Sequence, residues 1–334
     1  MNKIKKITIL GGAGFIGHNL ALYLKKNGYK IQVIDNLKVN NLKSEKYVDK
    51  ISGGINQSVL KSRLNLFKKY NIKLIESDLK KKKFISLVTN FKPNYIIHLA
   101  AVSHSNISNK DPEYTFENSL ITLTNALSVC REIRAHLIYF SSSMVYGHFK
   151  GKIVTEDTYC NPIGIYGALK LAGEIIVKSY SQIFNFPYTI IRPSALYGER
   201  CISRRVGQIF IENALKNKEI TVNGDGLERL DFTYISDLIL GVVKVIKSKK
   251  AQNQTFNITY GSGRTIKDLL NILKKNFPNV VVKFKEREKF MPIRGGLSIK
   301  KAKNILNYFP KYSIERGYPK YINWYKNFFK NNFL

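Results

Sequence analysis

A tyrosine and a lysine four positions apart, Tyr166 and Lys170, carry the most suggestive chemistry in this chain. In a helix the two side chains share one face, one turn apart. An ammonium beside a phenol favours the phenolate and draws the phenol down from its usual pKa of about 10. A tyrosine so placed can act as a general base. Taken alone, the pair reads more readily as surface side chains at chance spacing. Its meaning rests on what the chain places beside it.

The first such element is Lys6-Ile7-Thr8-Ile9-Leu10, an apolar β-branched run that enters Gly11-Gly12-Ala13-Gly14-Phe15-Ile16-Gly17. His18 to Lys26 then reads as an amphipathic helix. Strand, glycine turn and helix together form the setting a dinucleotide needs. Gly11 permits the tight turn, Gly14 lets backbone approach a pyrophosphate, and Gly17 lets helix pack on strand. The diphosphate would sit at the helix N-terminus, where free N–H groups and the dipole favour anions. The next strand, Lys30 to Ile34, ends at Asp35. A carboxylate there accepts the ribose hydroxyls and repels a 2′-phosphate, which selects NAD over NADP.

A basic helix is expected over Ser58 to Tyr70, after a long connection from residue 36, with a third strand at Ile72 to Ile75. Asp78 follows, placed either to touch an adenine or to cap a helix starting near Lys80. Tyr95 to Ala101 is a fourth strand running into small residues that let a cofactor lie close to backbone. His98 and His104 read as packed, hydrogen-bonded histidines. A long helix is expected from Pro112 to Arg131, a fifth strand from Ala135 to Phe140 ending in Ser141-Ser142-Ser143-Met144, a helix through Tyr166 to about Phe184, and a sixth strand from Pro187 to Arg192. Hydroxyls at the carboxyl end of a parallel strand face the crevice where ligands bind. Alternation of strand and helix over residues 4–193 predicts an α/β, doubly wound parallel sheet. Beyond Pro193 the rhythm breaks. A helix near Val206 to Lys216, a strand from Glu219 to Val222 and the turn Asn223-Gly224-Asp225-Gly226 suggest a smaller α/β cap over the crevice.

Composition narrows the classes. The 334 residues are 44% hydrophobic, enough for one large domain or two intimate ones. No apolar run approaches the 18 or so residues that span a membrane. The apolar stretch behind the basic N-terminus is too short for a signal peptide. Cys130, Cys160 and Cys201 have no metal-binding spacing and suggest a reducing compartment, neither disulfides nor zinc. The net charge of +32 suits a nucleic-acid, anionic-membrane or phosphorylated partner. Its lysines are spread along the whole chain, however, which favours a generally lysine-rich surface over a nucleic-acid groove.

Taken in order, the glycine turn, Asp35, His98-Leu99-Ala100-Ala101, Ser141 to Gly147 and Tyr166 to Lys170 resemble the extended short-chain dehydrogenase/reductase family, in its nucleotide-sugar epimerase and dehydratase group. The resemblance continues through Arg192 to Gly198, Gly224-Asp225-Gly226, Asp231 to Tyr234 and Arg294-Gly295-Gly296 to Glu315-Arg316-Gly317. It implies a Rossmann-type NAD-binding domain over residues 1–193. A smaller substrate-binding domain follows over 194–334, with some segments returning to the first. By position, Tyr166 is the base, Lys170 lowers its pKa and holds the nicotinamide ribose, and Ser142 bonds the reacting hydroxyl. Gly11, Gly14, Phe15, Ile16, Gly17, Asp35, Asn36, Asp78, Leu79, Leu99, Ala100 and Ala101 are expected along the cofactor. Ser143, Met144, Arg204, Arg205 and Arg294 are expected along the nucleotide sugar, with no metal.

In such a site Tyr166 takes the 4-hydroxyl proton while C4 gives hydride to NAD. The fate of the resulting 4-keto sugar depends on the neighbours of Ser142. Dehydratases of the group carry an Asp-Glu pair there, and decarboxylases a Glu. Here Ser143 and Met144 follow Ser142, and neither is an acid or base for elimination. A 4-epimerase needs no extra acid, because the sugar turns over and takes the hydride back. The resemblance therefore favours a 4-epimerase over a dehydratase, decarboxylase or 4-reductase, and a non-catalytic RNA-binding relative is remoter still. Ser58 to Leu64 also looks weakly like uronate 4-epimerases. Two positions depart from the group: Leu230 stands where a phosphate-binding Arg is common, and Ala195 where Asn is common. Arg229 lies one place from Leu230 on an expected strand, so it faces the other way. Arg204 and Arg205 either supply the missing charge or are solvated at a helix start. The group also implies a homodimer joined by the long helices at residues 112–131 and 164–184, and the cysteines fit a cytoplasmic setting.

Overall fold

The computed structural model describes residues 5–39, 54–149, 151, 153–287 and 291–333. The chain begins as expected, with β1 (Lys6–Leu10), α1 (Phe15–Lys26) and β2 (Lys30–Asp35). Then come α2 (Ile55–Lys69), β3 (Leu74–Glu76), α3 (Lys83–Phe91) and β4 (Tyr95–His98). Part of the long connection after residue 36 lies outside the described residues. The third strand begins and ends later than the apolar run Ile72 to Ile75 implies. Ile72 is instead spent on the turn closing α2, where its N–H donates to Phe67 O at 2.8 Å.

The helix expected over Pro112 to Arg131 is not continuous. A short α4 (Ser105–Lys110) precedes α5 (Pro112–Phe116), a π-helical turn at Glu117–Ile121, and α6 (Thr122–Ile133). Asp111 starts α5, its Oδ1 accepting from Tyr114 N at 3.0 Å ahead of Pro112 at N1. A π turn widens the helix at functional positions, and here it carries Asn118, with Thr122 next in line, to the crevice. Apolar periodicity does not reveal such a turn.

β5 (His136–Phe140) is followed by a 3₁₀ turn at Ser143–Tyr146, β6 (Ile153–Val154), α7 (Gly164–Phe184), β7 (Tyr188–Arg192) and β8 (Leu196–Tyr197). Then come α8 (Val206–Leu215), β9 (Ile220–Asn223), β10 (Arg229–Leu230), β11 (Thr233–Tyr234), α9 (Ile235–Lys247) and β12 (Gln254–Asn257). The last elements are β13 (Arg264–Thr265), α10 (Ile266–Asn276), β14 (Val282–Lys285), β15 (Gly296–Leu297), α11 (Lys300–Leu306) and α12 (Ile314–Phe333).

Seven strands form one parallel sheet in the order β12-β7-β5-β4-β1-β2-β3. The order reverses between β1 and β4, so the loops after these two strands diverge and leave a crevice at their carboxyl ends. One apolar cluster joins α1 and α9 across the sheet through Leu20, Leu24, Leu238 and Val242. A second, on the other face, holds Leu123, Leu127, Val177 and Phe84. After Pro193 the short pairs β8–β11, β9–β14 and β10–β13 pack with α8, α10 and α12 around Phe210, Leu269, Tyr318 and Tyr321. α9 and β12 come back to the large sheet, β12 extending it beside β7.

One buried network holds the carboxyl ends of β5 and β7 to α7. Arg192 donates from Nε and Nη2 to the two oxygens of Glu174, at 2.9 and 2.7 Å, with both residues at most 4% exposed. Ser141 donates to the same carboxylate. Arg192 Nη1 donates to Tyr146 Oη at 2.9 Å, and that phenol donates to Asn257 Oδ1 at 2.8 Å. Removing one partner of a buried pair strands the other charge, whereas replacing both by apolar groups is often neutral. Glu174→Ala is therefore expected to destabilise by about 3–5 kcal/mol. The double change Glu174→Leu/Arg192→Met should recover most of that loss, as read by urea denaturation.

Candidate active site

A cleft of about 120 Å³ runs along the crevice and is lined by Gly11, Gly14, Phe15, Ile16 and Gly17. Across it lie Leu99, Ala100 and Ala101 from the end of β4, and Asp35, Asn36, Asp78 and Leu79 close its far end. These are all twelve positions expected along a cofactor, Tyr166 and Lys170 apart. Backbone meets backbone closely here. A Cβ at Gly11, where φ is +77°, would lie 2.6 Å from Ala100 N, and one at Gly17 would lie 2.5 Å from Gly12 Cα. No side chain caps the start of α1, so its first N–H groups face the cleft. Asp35 is 6% exposed and accepts from Ala13 N at 2.9 Å and Leu37 N at 2.8 Å. Burial pushes its carboxyl up, while those two N–H groups pull it down. Asp78 lines the cleft but caps no helix: its Oδ1 accepts from Lys80 N at 2.9 Å within a turn, and α3 starts only at Lys83, without a side-chain cap. Glycines without Cβ, an uncapped helix start and a carboxylate at the end of β2 fit a dinucleotide.

A wider cavity of about 440 Å³ continues from the cleft, the two sharing Ile16, Leu99, Ala101, Ser103, Leu196 and Arg205. Tyr166, Lys170, Ser142, Ser143 and Met144 all line it. The sequence spacing is realised on α7, which presses close to the 3₁₀ turn: a Cβ at Gly167 would lie 2.8 Å from Met144 O. Lys170 Nζ stands 6.0 Å from the centre of the Tyr166 ring and donates to Phe140 O at 2.8 Å. Lys170 is 6% exposed, and burial pushes its ammonium down to about 8 against the pull of Glu174. Ser142 Oγ accepts from Met144 N at 3.2 Å, which leaves its own proton free to be donated into the cavity. Ser143 is 2% exposed, its N–H given to Pro193 O.

Arg204, Arg205 and Arg294 also line this cavity, in different states. Arg204 pairs with Glu212 at 2.9 Å. Arg205 donates to Ser103 O at 3.4 Å, at the junction of cleft and cavity. Arg294 is partly buried, its Nε has no partner, and burial together with the Arg205 charge pushes it down to about 10. Leu230 lines the cavity while Arg229 is exposed and donates to Gly263 O. Glu228 is the one carboxylate on the cavity wall among the described residues. It is held by Arg287, on the β9–β10 side. His98 is buried against Tyr139, pushed down to about 3 by burial and Lys170, and is therefore neutral. His104 lines the cavity at the start of α4.

Several residues of the site were not legible beforehand. Arg63 of α2 is 1% exposed, lines the cofactor cleft, and donates to Ala13 O at 2.9 Å and to Arg200 O. It ties the glycine loop to the loop that carries Arg204 and Arg205. His18 lies beneath it, Nδ1 3.0 Å from Gly14 O, and burial with the Arg63 charge pushes it well down. Asn118 and Thr122 reach the cleft through the π turn. Arg63 falls in the segment Ser58 to Leu64, whose weak likeness to uronate 4-epimerases gives it no role by itself.

The profile of the NAD dependent epimerase/dehydratase family matches residues 7–259, and the chain belongs to that family. Among its relatives is a Methanocaldococcus jannaschii protein whose name assigns it, provisionally, UDP-glucose 4-epimerase activity. It is 30% identical over 96% of this chain and 98% of its own length. Arabidopsis thaliana UDP-glucuronate 4-epimerase 1 is 28% identical over 98% of this chain and 78% of its own. The crystal structure of UDP-glucuronic acid 4-epimerase from Bacillus cereus, in complex with UDP-glucuronic acid and NAD, superposes with a TM-score of 0.87. It is 27% identical and covers 96% of this chain and 99% of that one.

The buried ammonium has a stability consequence. Lys170 falls from 10.5 when unfolded to about 8 when folded, so between these values the unfolded chain holds the extra proton and stability rises with pH. The penalty is full below about pH 8 and absent above about pH 10.5, a difference of order 3 kcal/mol. Lys170→Met, compared with wild type in cofactor-free protein, should gain stability at pH 7 and lose most of that advantage by pH 10.5. Denaturation at the two pH values reads the difference.

Proposed function

We propose that the chain is an NAD-dependent nucleotide-sugar 4-epimerase. The observation that carries this reading is one cavity in which Tyr166, Lys170 and Ser142 converge while Ser143 and Met144 stand beside them. Bound NAD supplies the acceptor and donor of hydride at C4. Tyr166 Oη takes the 4-hydroxyl proton as the carbonyl forms and returns it at the end. Lys170, held by Phe140 O, keeps a positive charge beside the phenol as it loses its proton. Ser142 donates its hydroxyl proton to the reacting oxygen. Met144 has no titratable proton, and the carboxylate of Glu228 is paired with Arg287, so elimination across C5 and C6 lacks its acid. The 4-keto sugar has room to turn in the wide cavity and be reduced on its other face.

Arg294 and Arg205 repel each other, and an anionic ligand between them relieves both. We assign the substrate diphosphate to this pair, with Arg204 left to Glu212. The smaller unit after Pro193 then serves the nucleotide sugar and the large sheet serves NAD. UDP-glucose and UDP-glucuronate, the sugars named for the relatives, are the first substrates to try. Exposed Phe116, Ile175 and Ile183 on α5 and α7 support a homodimer through these helices. Free Cys130, Cys160 and Cys201 support a cytoplasmic setting.

The test is product analysis in deuterated water with a panel of UDP-sugars. A 4-epimer of unchanged mass and no carbon-bound deuterium is expected, without added cofactor. A 6-deoxy-4-keto product, or steady NADH release, would overturn the reading. Tyr166→Phe should lower kcat by about 10²–10⁴-fold with little change in substrate binding. Asp35→Asn removes the charge that repels a 2′-phosphate, so it should narrow the preference for NAD over NADP in a direct binding titration.

A further inference from the structure

In a parallel sheet every strand starts at one edge, and the helices between strands return to it. Cofactor cleft and substrate cavity occupy the opposite edge. The starting edge is almost uniformly basic. Lys6 and Lys30 stand in register at the starts of β1 and β2. α1 ends in Lys25 and Lys26, and α2 in Lys68 and Lys69, all four exposed. Exposed Lys92 closes α3, exposed Arg131 and Arg134 close α6, and exposed Lys247, Lys249 and Lys250 follow α9. Hydrogen bonds join these ends into one surface: Lys5 Nζ and Tyr95 Oη both donate to Ile246 O, and Lys6 Nζ donates to Phe91 O. Among the described residues, the only acid on these helix ends and strand starts is Glu132. Helix dipoles account for cations on last turns. They also account for half-buried Lys5 and Lys6, whose ammonium groups bond last-turn carbonyls of α9 and α3, but not for exposed Lys30 and Lys73 at the strand starts.

We propose that this edge docks the protein on an anionic phospholipid surface, leaving the active-site crevice open on the far side. The cations are mainly lysines, compact point charges on flexible stems. Such charges suit a diffuse field of headgroups better than the fixed bidentate geometry that arginine serves. Four rings at this edge are covered by cations: Lys26 and Lys69 stand over Tyr70, Lys5 over Tyr95, Lys6 over Phe91 and Arg131 over Phe184. That reduces the platform on which single-stranded nucleic acid stacks its bases, with Tyr23 on the last turn of α1 still exposed. No helix among the described residues is long and apolar enough to cross a membrane, so the contact is peripheral.

The experiment is vesicle co-sedimentation of the full chain, with phosphatidylglycerol-rich and pure phosphatidylcholine vesicles. Binding is expected only to the anionic vesicles, and it should vanish near 1 M salt, where charges are screened within about 3 Å. Changing Lys25, Lys26, Lys68, Lys69, Lys247 and Lys250 to Gln should weaken binding at least about tenfold. A control with the same net charge changes Lys267, Lys274, Lys275, Lys285, Lys311 and Lys330 to Gln and should bind as wild type does. Circular dichroism checks that both variants fold. Equal loss in both variants would reduce the effect to net charge and overturn the proposal. So would absence of binding to anionic vesicles at low salt, or displacement from them by equimolar duplex RNA.

Discussion

The fold and the site both depend on the ion pair between Arg192 and Glu174. Its two residues come from β7 and α7, and both are almost wholly out of water. Such a pair is not a strong source of net stability, because desolvation offsets much of the attraction. Its value is geometric. Both guanidinium–carboxylate bonds must form together, and Ser141, Tyr146 and Asn257 complete the remaining valences. The ends of β5, β7 and β12, the 3₁₀ turn and the helix of Tyr166 are thereby held in one arrangement. Sliding α7 by one turn would break the pair and carry Tyr166 away from Ser142.

Lys170 shows the cost of that arrangement. An ammonium placed under Tyr166 and against Phe140 O lies where water cannot reach it, and burial lowers its proton affinity. A more stable residue would fit, but it would supply no charge to the phenol. In the proposed reaction, stability is surrendered at the position where the chemistry needs a cation, which is common at active sites. Arg63 repeats the logic beneath the glycine loop. Its charge is buried, but its N–H groups fasten α2 to the glycine loop and to the loop of Arg200, beside the apolar packing of Ile55 and Val59 on Cys201 and Ile202.

Local physics made much of this visible in advance. The glycine turn, Asp35 and the seryl end of β5 are each short, and their geometry follows from residue type at fixed spacing. The parallel sheet follows from alternation, but its strand order, with β12 returning beside β7, does not. The boundaries of β3 and the helix after Pro112 did not follow. Ile72 has strand propensity but is used to close α2, and the π turn at 117–121 depends on where Asn118 and Thr122 must reach. Arg229 and Leu230 show the reverse case. The period of a strand decides which of two neighbours faces a cavity, so that difference was legible and the structure has Leu230 on the cavity wall.

By itself the sequence named the groups of the proposed site: a phenol, an ammonium and a hydroxyl beside a dinucleotide turn, with Met144 where the resemblance puts an acid in dehydratases. These are properties of side chains and near neighbours, and they survive any packing that keeps the spacing. Tertiary structure alone decided which charges are free to act. Arg204 is occupied by Glu212 and Arg294 has an open Nε, although both are arginines near one cavity. Lysines far apart in the chain, among them Lys25, Lys30, Lys68 and Lys247, meet at one edge because parallel strands start there and their helices end there. Such pairings join residues far apart in the chain, and no local rule connects them until the sheet has closed.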